Sequence, residues 1–182
     1  QERLVADLRA GPSELERRAS GHRLGAVGFC FGGGMVWLLL ASGEPRLAAA
    51  APFYGPLPDD ADFSGSSAAV LGVYAEQDDR VNASRDAATA ALEAAGLTHE
   101  IVTYPSAGHA FFNETGQRYN PEAAASAYEK LTPHCAPSPS SASVNTSCGL
   151  PAAIILPFFN STTESANSAP RLMSCVTMMA AV

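Results

Sequence analysis

The chain is poor in positive charge, with 11 lysines and arginines against 18 aspartates and glutamates, a net charge of −7 and a pI near 5.0. Its one adjacent basic pair, Arg17-Arg18, reads as a solvated helix face, so nothing resembles the basic patch that nucleic acid requires. Long apolar runs are also absent. The longest pieces, at 36–41 and 152–159, are far shorter than the roughly 20 residues of a membrane-spanning helix, so no membrane partner is expected. Cysteine is scarce: Cys30, Cys135, Cys148 and Cys175 include none of the close pairs that zinc sites use, and no metal is expected. The three later cysteines would pair only in an oxidising compartment, whereas a reactive thiol favours a reducing one. With no recognisable signal peptide, the expected location is cytoplasmic. Asn145-Thr146-Ser147 and Asn160-Ser161-Thr162 fit the glycosylation pattern, but such triplets arise by chance in Ser/Thr-rich sequence.

What the chain does have is apolar content, 47% over 182 residues, which is enough for one domain with a core. Helix-period and strand-period patterns alternate. Helix is predicted at 2–10, strand at 23–29, helix at 33–41, strands at 47–54 and 69–75, helix at 83–95 and strand at 98–104. That order implies an α/β fold with a parallel sheet and covering helices. The 83–95 helix has Asn82 or Ser84 as a cap and Gly96 as a stop. Beyond Leu131 the character changes. Thr132-Pro133 is expected to end the last helix, and the residues after it are rich in Ser, Thr, Ala and Pro, with only Glu164 and Arg171 charged. The division is therefore a domain at 1–131 and a low-complexity tail at 132–182, expected to be disordered or a foreign extension.

Chemistry concentrates in the first of these. Gly28-Phe29-Cys30-Phe31-Gly32-Gly33 sets a cysteine between a strand pattern and a helix pattern, with small residues two before and two after it. A nucleophile elbow demands this, because a Cβ at either flank would strike the neighbouring backbone. Read alone, the same letters fit a tightly packed helix with an inert buried thiol. Two later loops favour the elbow. The apolar run 69–75 ends at Glu76-Gln77-Asp78-Asp79, and 98–104 ends at Pro105-Ser106-Ala107-Gly108-His109. Both place polar residues beyond the carboxyl ends of strands, where open α/β sheets keep their chemistry. A thiol is mostly protonated at neutral pH, an imidazole can take its proton, and a carboxylate holds the imidazole in the useful tautomer. Cys30 is thus the candidate nucleophile and His109 the candidate base; the orienting carboxylate is Asp78 or its neighbour Asp79.

Four stretches in register resemble the dienelactone hydrolase family: Gly28 to Met35, Phe53-Tyr54-Gly55, Asp78-Asp79-Arg80-Val81, and Tyr104 to Phe111. The resemblance runs from Gln1 to about Leu131 and includes Tyr119-Asn120-Pro121-Glu122-Ala123-Ala124. It selects Asp78 over Asp79, since the family's aspartate stands three residues before the valine. It implies an α/β-hydrolase-type fold, a mostly parallel sheet with helices on both faces. The implied activity is hydrolysis of a small-molecule carboxylic ester or lactone, like a carboxymethylenebutenolidase, through an acyl-thioester and without a cofactor. It also implies an oxyanion donor at the Phe31 N–H. Tyr54 and Phe111 are expected beside the substrate, with Phe112 a further candidate for an apolar pocket wall.

The chain departs from the pattern in two places. Its first residues already resemble the helix before the elbow strand, so the fold is expected to be incomplete at the N-terminus. The early strands, a second oxyanion donor and the family's thiol-activating acid are then missing, leaving apolar strand edges open to pairing. Some members carry an arginine four residues beyond the histidine, where this chain has Asn113. The competing expectation is a truncated, non-catalytic remnant acting as a binding or unstable product; a redox-sensing cysteine is a third reading.

Overall fold

The computed structural model describes residues 2–135, 153–157 and 175–181, with side chains described as far as residue 131. Its elements are α1 (Glu2–Arg18), β1 (Arg23–Phe29), α2 (Phe31–Ala41), β2 (Leu47–Phe53), β3 (Ala69–Ala75), α3 (Asp79–Asn82), α4 (Arg85–Ala94), β4 (His99–Tyr104), α5 (Pro121–Cys135), β5 (Ala153–Pro157) and β6 (Cys175–Ala181). They build one sheet in the order β4-β3-β2-β1-β6-β5. Strands β1 to β4 are mutually parallel, whereas β6 runs antiparallel to β1 and β5 antiparallel to β6.

The four parallel strands read as near-continuous apolar runs because both faces of the sheet are covered. On one face Leu24, Ala26, Ala50 and Val70 pack with Leu8 and Leu15 of α1, Val36, Trp37 and Leu40 of α2, and Ala88 and Leu92 of α4. On the other, Val27, Ala51, Leu71 and Val73 meet Ala123 and Ala127 of α5 together with Tyr104 and Phe111. Period-two alternation sorts the side chains: in β1, Ala26 faces one core and Val27 the other. Helices therefore lie on both faces of a mostly parallel sheet, the arrangement of the α/β-hydrolase folds.

The larger departures from expectation are in the helices. Helix α1 continues through Pro12 to Arg18, well past the expected end at residue 10. Leu15 is 3% exposed, so continuing the helix buries it in the same core as Leu8, and the Ser13 hydroxyl donates to the Arg9 carbonyl. The helix predicted at 83–95 is α4, beginning at Arg85, and the loop before it carries a single helical turn, α3, that was not expected. Helix α5 runs past Thr132-Pro133 to Cys135; a proline near a helix end forfeits one backbone bond, too little to end it there.

The segment 132–182, expected to lack regular structure, contributes β5 and β6. Strand β6 pairs residue for residue with β1 from Arg23↔Ala181 to Gly28↔Val176. The physical reason lies in β1, whose outer edge presents N–H and C=O groups that need partners once buried. Apolar, β-prone Cys175–Ala181 supplies them within the same chain. Apart from 132–135 in α5, the remainder of that segment, Cys148 and both glycosylation triplets included, lies outside the described residues.

Candidate active site

The tight turn from β1 to α2 places Cys30. Its backbone is in the left-handed region (φ 57°, ψ −117°), a strained conformation for a residue with a Cβ. Two glycine contacts force the chain through it. A Cβ on Gly28 would collide with the Gly32 carbonyl and sit 2.8 Å from Val36 Cγ2; one on Gly33 would sit 2.6 Å from the Phe53 carbonyl oxygen and 3.0 Å from Gly55 Cα. The end of β2 thus presses backbone to backbone on the start of α2. The Cys30 N–H donates to the Phe53 carbonyl at 3.0 Å, and the Cys30 carbonyl accepts from Gly34 at 3.2 Å as the helix begins. Phe31 stands in the first turn, where backbone N–H groups have no partner within the helix.

The carboxylate comes from the loop after β3. Asp78 is buried, 7% exposed, and precedes the single turn α3. Asn82 holds this loop by donating its amide to the Ala75 carbonyl at 2.8 Å and the Glu76 carbonyl at 3.2 Å. The imidazole comes from the loop after β4. Here Gln77 N–H donates to the Ala107 carbonyl at 2.9 Å, and the Glu76 carboxylate accepts the Ser106 N–H at 2.7 Å, with Ser106 itself at φ 56°. The two loops are therefore bonded to each other as well as to the sheet.

The outcome is a chain of three side chains from three loops at the carboxyl end of the parallel sheet. His109 Nε2 lies 2.9 Å from Cys30 Sγ, and His109 Nδ1 lies 2.5 Å from Asp78 Oδ2. The adjacent Asp79 is exposed and begins α3. Facing the Cys30 sulfur raises the His109 pKa above its usual value, and the hydrogen bond to Asp78 adds to this against the opposing effect of partial burial. The geometry suits a thiolate–imidazolium pair: Nε2–H donates to sulfur while Nδ1–H donates to the carboxylate.

Tyr54 follows β2 in a left-handed conformation (φ 36°) and is 2% exposed. Its ring meets the His109 ring edge-on at 5.2 Å and the Phe111 ring at 5.6 Å. Burial, with the Cys30 sulfur nearby, pushes its phenol pKa far up, so the hydroxyl stays protonated. Phe111, expected to touch substrate, is 0% exposed and packs between Tyr54 and Tyr104. Its contribution is to the core beneath the site, because the ring has no face left for a ligand. Phe112 is half-buried and stacks on Phe29 at 5.3 Å. The Phe31 side chain, by contrast, is 52% exposed.

Beside His109 and Asp78 opens a cavity of about 960 Å³ whose wall includes Arg80, Gln117, Arg118 and Asn120. Sequence reasoning passed over Glu76, Asn82 and Arg118 as site components. Glu76 was visible only as one more acid in its loop, Asn82 only as a helix cap, and Arg118 carried no local signal. Among the described residues no group of three or more His, Cys, Asp or Glu side chains is gathered as a metal site, and no helix is long and apolar enough to cross a membrane.

Residues 1–135 match the Dienelactone hydrolase family. The chain belongs to that family. A protein of Salmonella typhi named "Putative carboxymethylenebutenolidase" is 34% identical over 140 residues, covering 70% of this chain and 52% of its own length. A Saccharolobus solfataricus protein of the same name is 35% identical over 107 residues, 58% of this chain and 41% of that protein. Among solved structures, a Klebsiella pneumoniae protein described as a "Putative Dienelactone Hydrolase" superposes with a TM-score of 0.61 at 32% identity, covering 71% of this chain and 58% of that one. The chain thus spans about half the length of the relatives it matches.

Proposed function

We propose that this dienelactone hydrolase family member hydrolyses carboxylic esters or lactones with Cys30 as nucleophile, His109 as general base and acid, and Asp78 as the carboxylate that orients His109. The observation that carries the reading is the unbroken contact from sulfur through Nε2 and Nδ1 to a buried carboxylate. Thiolate Sγ attacks the carbonyl carbon, the new C–S bond pushing a π pair onto oxygen. The resulting oxyanion is met by the Phe31 N–H at the start of α2, where the helix dipole favours negative charge. Collapse expels the alkoxide, which takes the Nε2 proton and leaves as alcohol. Water then gives a proton to Nε2 and attacks the thioester carbonyl. The second tetrahedral species collapses to release the acid and restore the thiolate–imidazolium pair.

Tyr54 acts in this reading through its edge contact with the imidazole, and as a neutral hydroxyl donor near the sulfur. The substrate is a small ester or lactone and the chemistry needs no cofactor. The proposal is tested with the purified 182-residue chain and p-nitrophenyl acetate, Cys30→Ala run in parallel. Expected are a burst and turnover that fall by about 10³-fold or more in the variant, as for removal of other triad nucleophiles. Equal slow rates for the two proteins would sink the proposal and favour the non-catalytic reading.

A further inference from the structure

The sheet brings two of the chain's cysteines to one place from distant parts of the sequence. Strand β6 runs antiparallel to β1, and their last paired residues toward the site are Gly28 and Val176. One step further in the same register, Cys175, the first residue of β6, stands beside Phe29, the last of β1. The other edge of β6 holds the same position, where Cys175 pairs with Pro157 of β5. Cys30 follows Phe29 directly. With strands about 5 Å apart and about 3.4 Å per residue along them, the Cα atoms of Cys30 and Cys175 come to about 6 Å, within the range that a disulfide spans. Opposite residues of an antiparallel pair also share a face of the sheet. Phe29 and Cys30 both pack against the cluster of Val27, Ala51 and Val73, so Cys175 is placed on the face that holds Cys30. Cys135, by contrast, ends α5 and takes no part in this ladder.

We infer that Cys175 is a resolving cysteine for Cys30, so that a hydroperoxide closes the pair into a reversible Cys30–Cys175 disulfide that masks the Cys30 sulfur. Cys30 is half-buried and its sulfur lies 2.9 Å from His109 Nε2; the thiolate that this contact favours is the form peroxide oxidises. The sulfur attacks one peroxide oxygen. The S–O bond forms, the O–O bond breaks, and the departing hydroxide takes the Nε2 proton and leaves as water. Cys30 is then a sulfenic acid. The Cys175 sulfur attacks Cys30 Sγ, the S–S bond forms as S–O breaks, and hydroxide leaves as water with the Cys175 proton. The two thiols have lost two electrons and the peroxide has gained them. Without a partner thiol, a second peroxide carries the sulfenic acid on to the irreversible sulfinic acid. A dithiol reductant reverses the disulfide by exchange and restores the thiolate–imidazolium pair. The sequence requires the Cys30–His109 contact and not ester hydrolysis.

The reduced 182-residue chain is treated with hydrogen peroxide, blocked with iodoacetamide, digested with trypsin without reductant and mapped by mass spectrometry. Trypsin leaves Cys30 in peptide 24–46, Cys135 and Cys148 in 131–171, and Cys175 in 172–182. Expected is a cross-link between 24–46 and 172–182 in monomeric protein, with Cys30 labelling reduced about tenfold or more and recovered with dithiothreitol. In Cys175→Ser the cross-link is absent, and labelling lost to peroxide does not return because Cys30 has gone on to sulfinic acid. The double variant Cys135→Ser with Cys148→Ser leaves β6 untouched and should behave as the unsubstituted chain, so the outcome does not hang on how Cys175→Ser folds. A Cys30 cross-link to 131–171, a bond found only in covalent dimers, or equal sulfinic acid in the unsubstituted chain and Cys175→Ser overturns the inference. Turnover of p-nitrophenyl acetate is followed alongside. Labelling that cycles with oxidation and reduction in a chain without Cys30-dependent turnover would refute the hydrolase reading while upholding the redox pair.

Discussion

At the scale of single residues, the proposed chemistry turns on the charge state of the Cys30–His109 pair. Its pKa displaced upward, His109 keeps its imidazolium form to higher pH than a solvent-exposed histidine. By linkage, the stability contributed by His109 is fully present below its unfolded-state pKa and is lost as pH rises through the higher folded-state value. The thiol is expected to react with iodoacetamide at pH 6 to 7, where an ordinary cysteine near pKa 8.5 is almost entirely protonated. In His109→Gln the rate at pH 6.5 should drop by about tenfold or more and then climb toward pH 8.5. A rate–pH profile identical in both proteins would show that the imidazole does not stabilise the thiolate. Asp78→Asn should keep the fold yet lower turnover by about 10³-fold or more, through the loss of tautomer and charge control; kcat measured beside a circular dichroism spectrum checks it.

Among the elements, placement depends on backbones that approach too closely for side chains. Gly33→Ala puts a carbon 2.6 Å from the Phe53 carbonyl, a contact that only backbone movement relieves. The substitution should cost about 2 to 4 kcal/mol in urea unfolding, and the elbow should lose turnover even where the chain stays folded. Glu76→Ala makes a different cut, freeing the Ser106 N–H and with it the loop that carries His109. The expected result is a fall in kcat of about tenfold, with little change in the melting temperature, and Glu76→Gln, which still accepts that bond, should recover most of it. This also marks where sequence reading reached and where it stopped. Gly28, Cys30 and Gly32 disclose their turn because its steric rule is local, and the β1 and β3 bounds fall where apolar runs end. Glu76 reaches 30 positions along the chain to Ser106, a bond that no periodicity or spacing encodes. Phe111 reads as a pocket wall next to a histidine, yet the fold spends its ring on Tyr54 and Tyr104, a choice made by packing rather than by neighbours in sequence.

For the molecule as a whole, the consequential arrangement is a sheet whose site strand, β1, has β2 on one side and β6 on the other. The parallel half follows from alternating patterns that any βα chain displays. The antiparallel half does not, because composition rich in Ser and Ala hides two short strands, and their value arises only from the edge that β1 offers them. Six backbone partnerships from Arg23 to Gly28 depend on β6, immediately beneath the strained turn at Cys30. Deleting 175–181 therefore bares a row of N–H and C=O groups along a strand with apolar side chains on both faces. An exposed edge of that kind is a template for another chain. The expected outcome is concentration-dependent association on size-exclusion chromatography and loss of any Cys30-dependent turnover. Substituting Thr177 and Met179 by proline should reproduce this, since a proline in the body of the strand cannot donate to the ladder. A deletion variant that stays monodisperse across the concentration series, with unfolding unchanged in urea, would show that β1 does not rely on β6 and that the sheet closes its edge by other means.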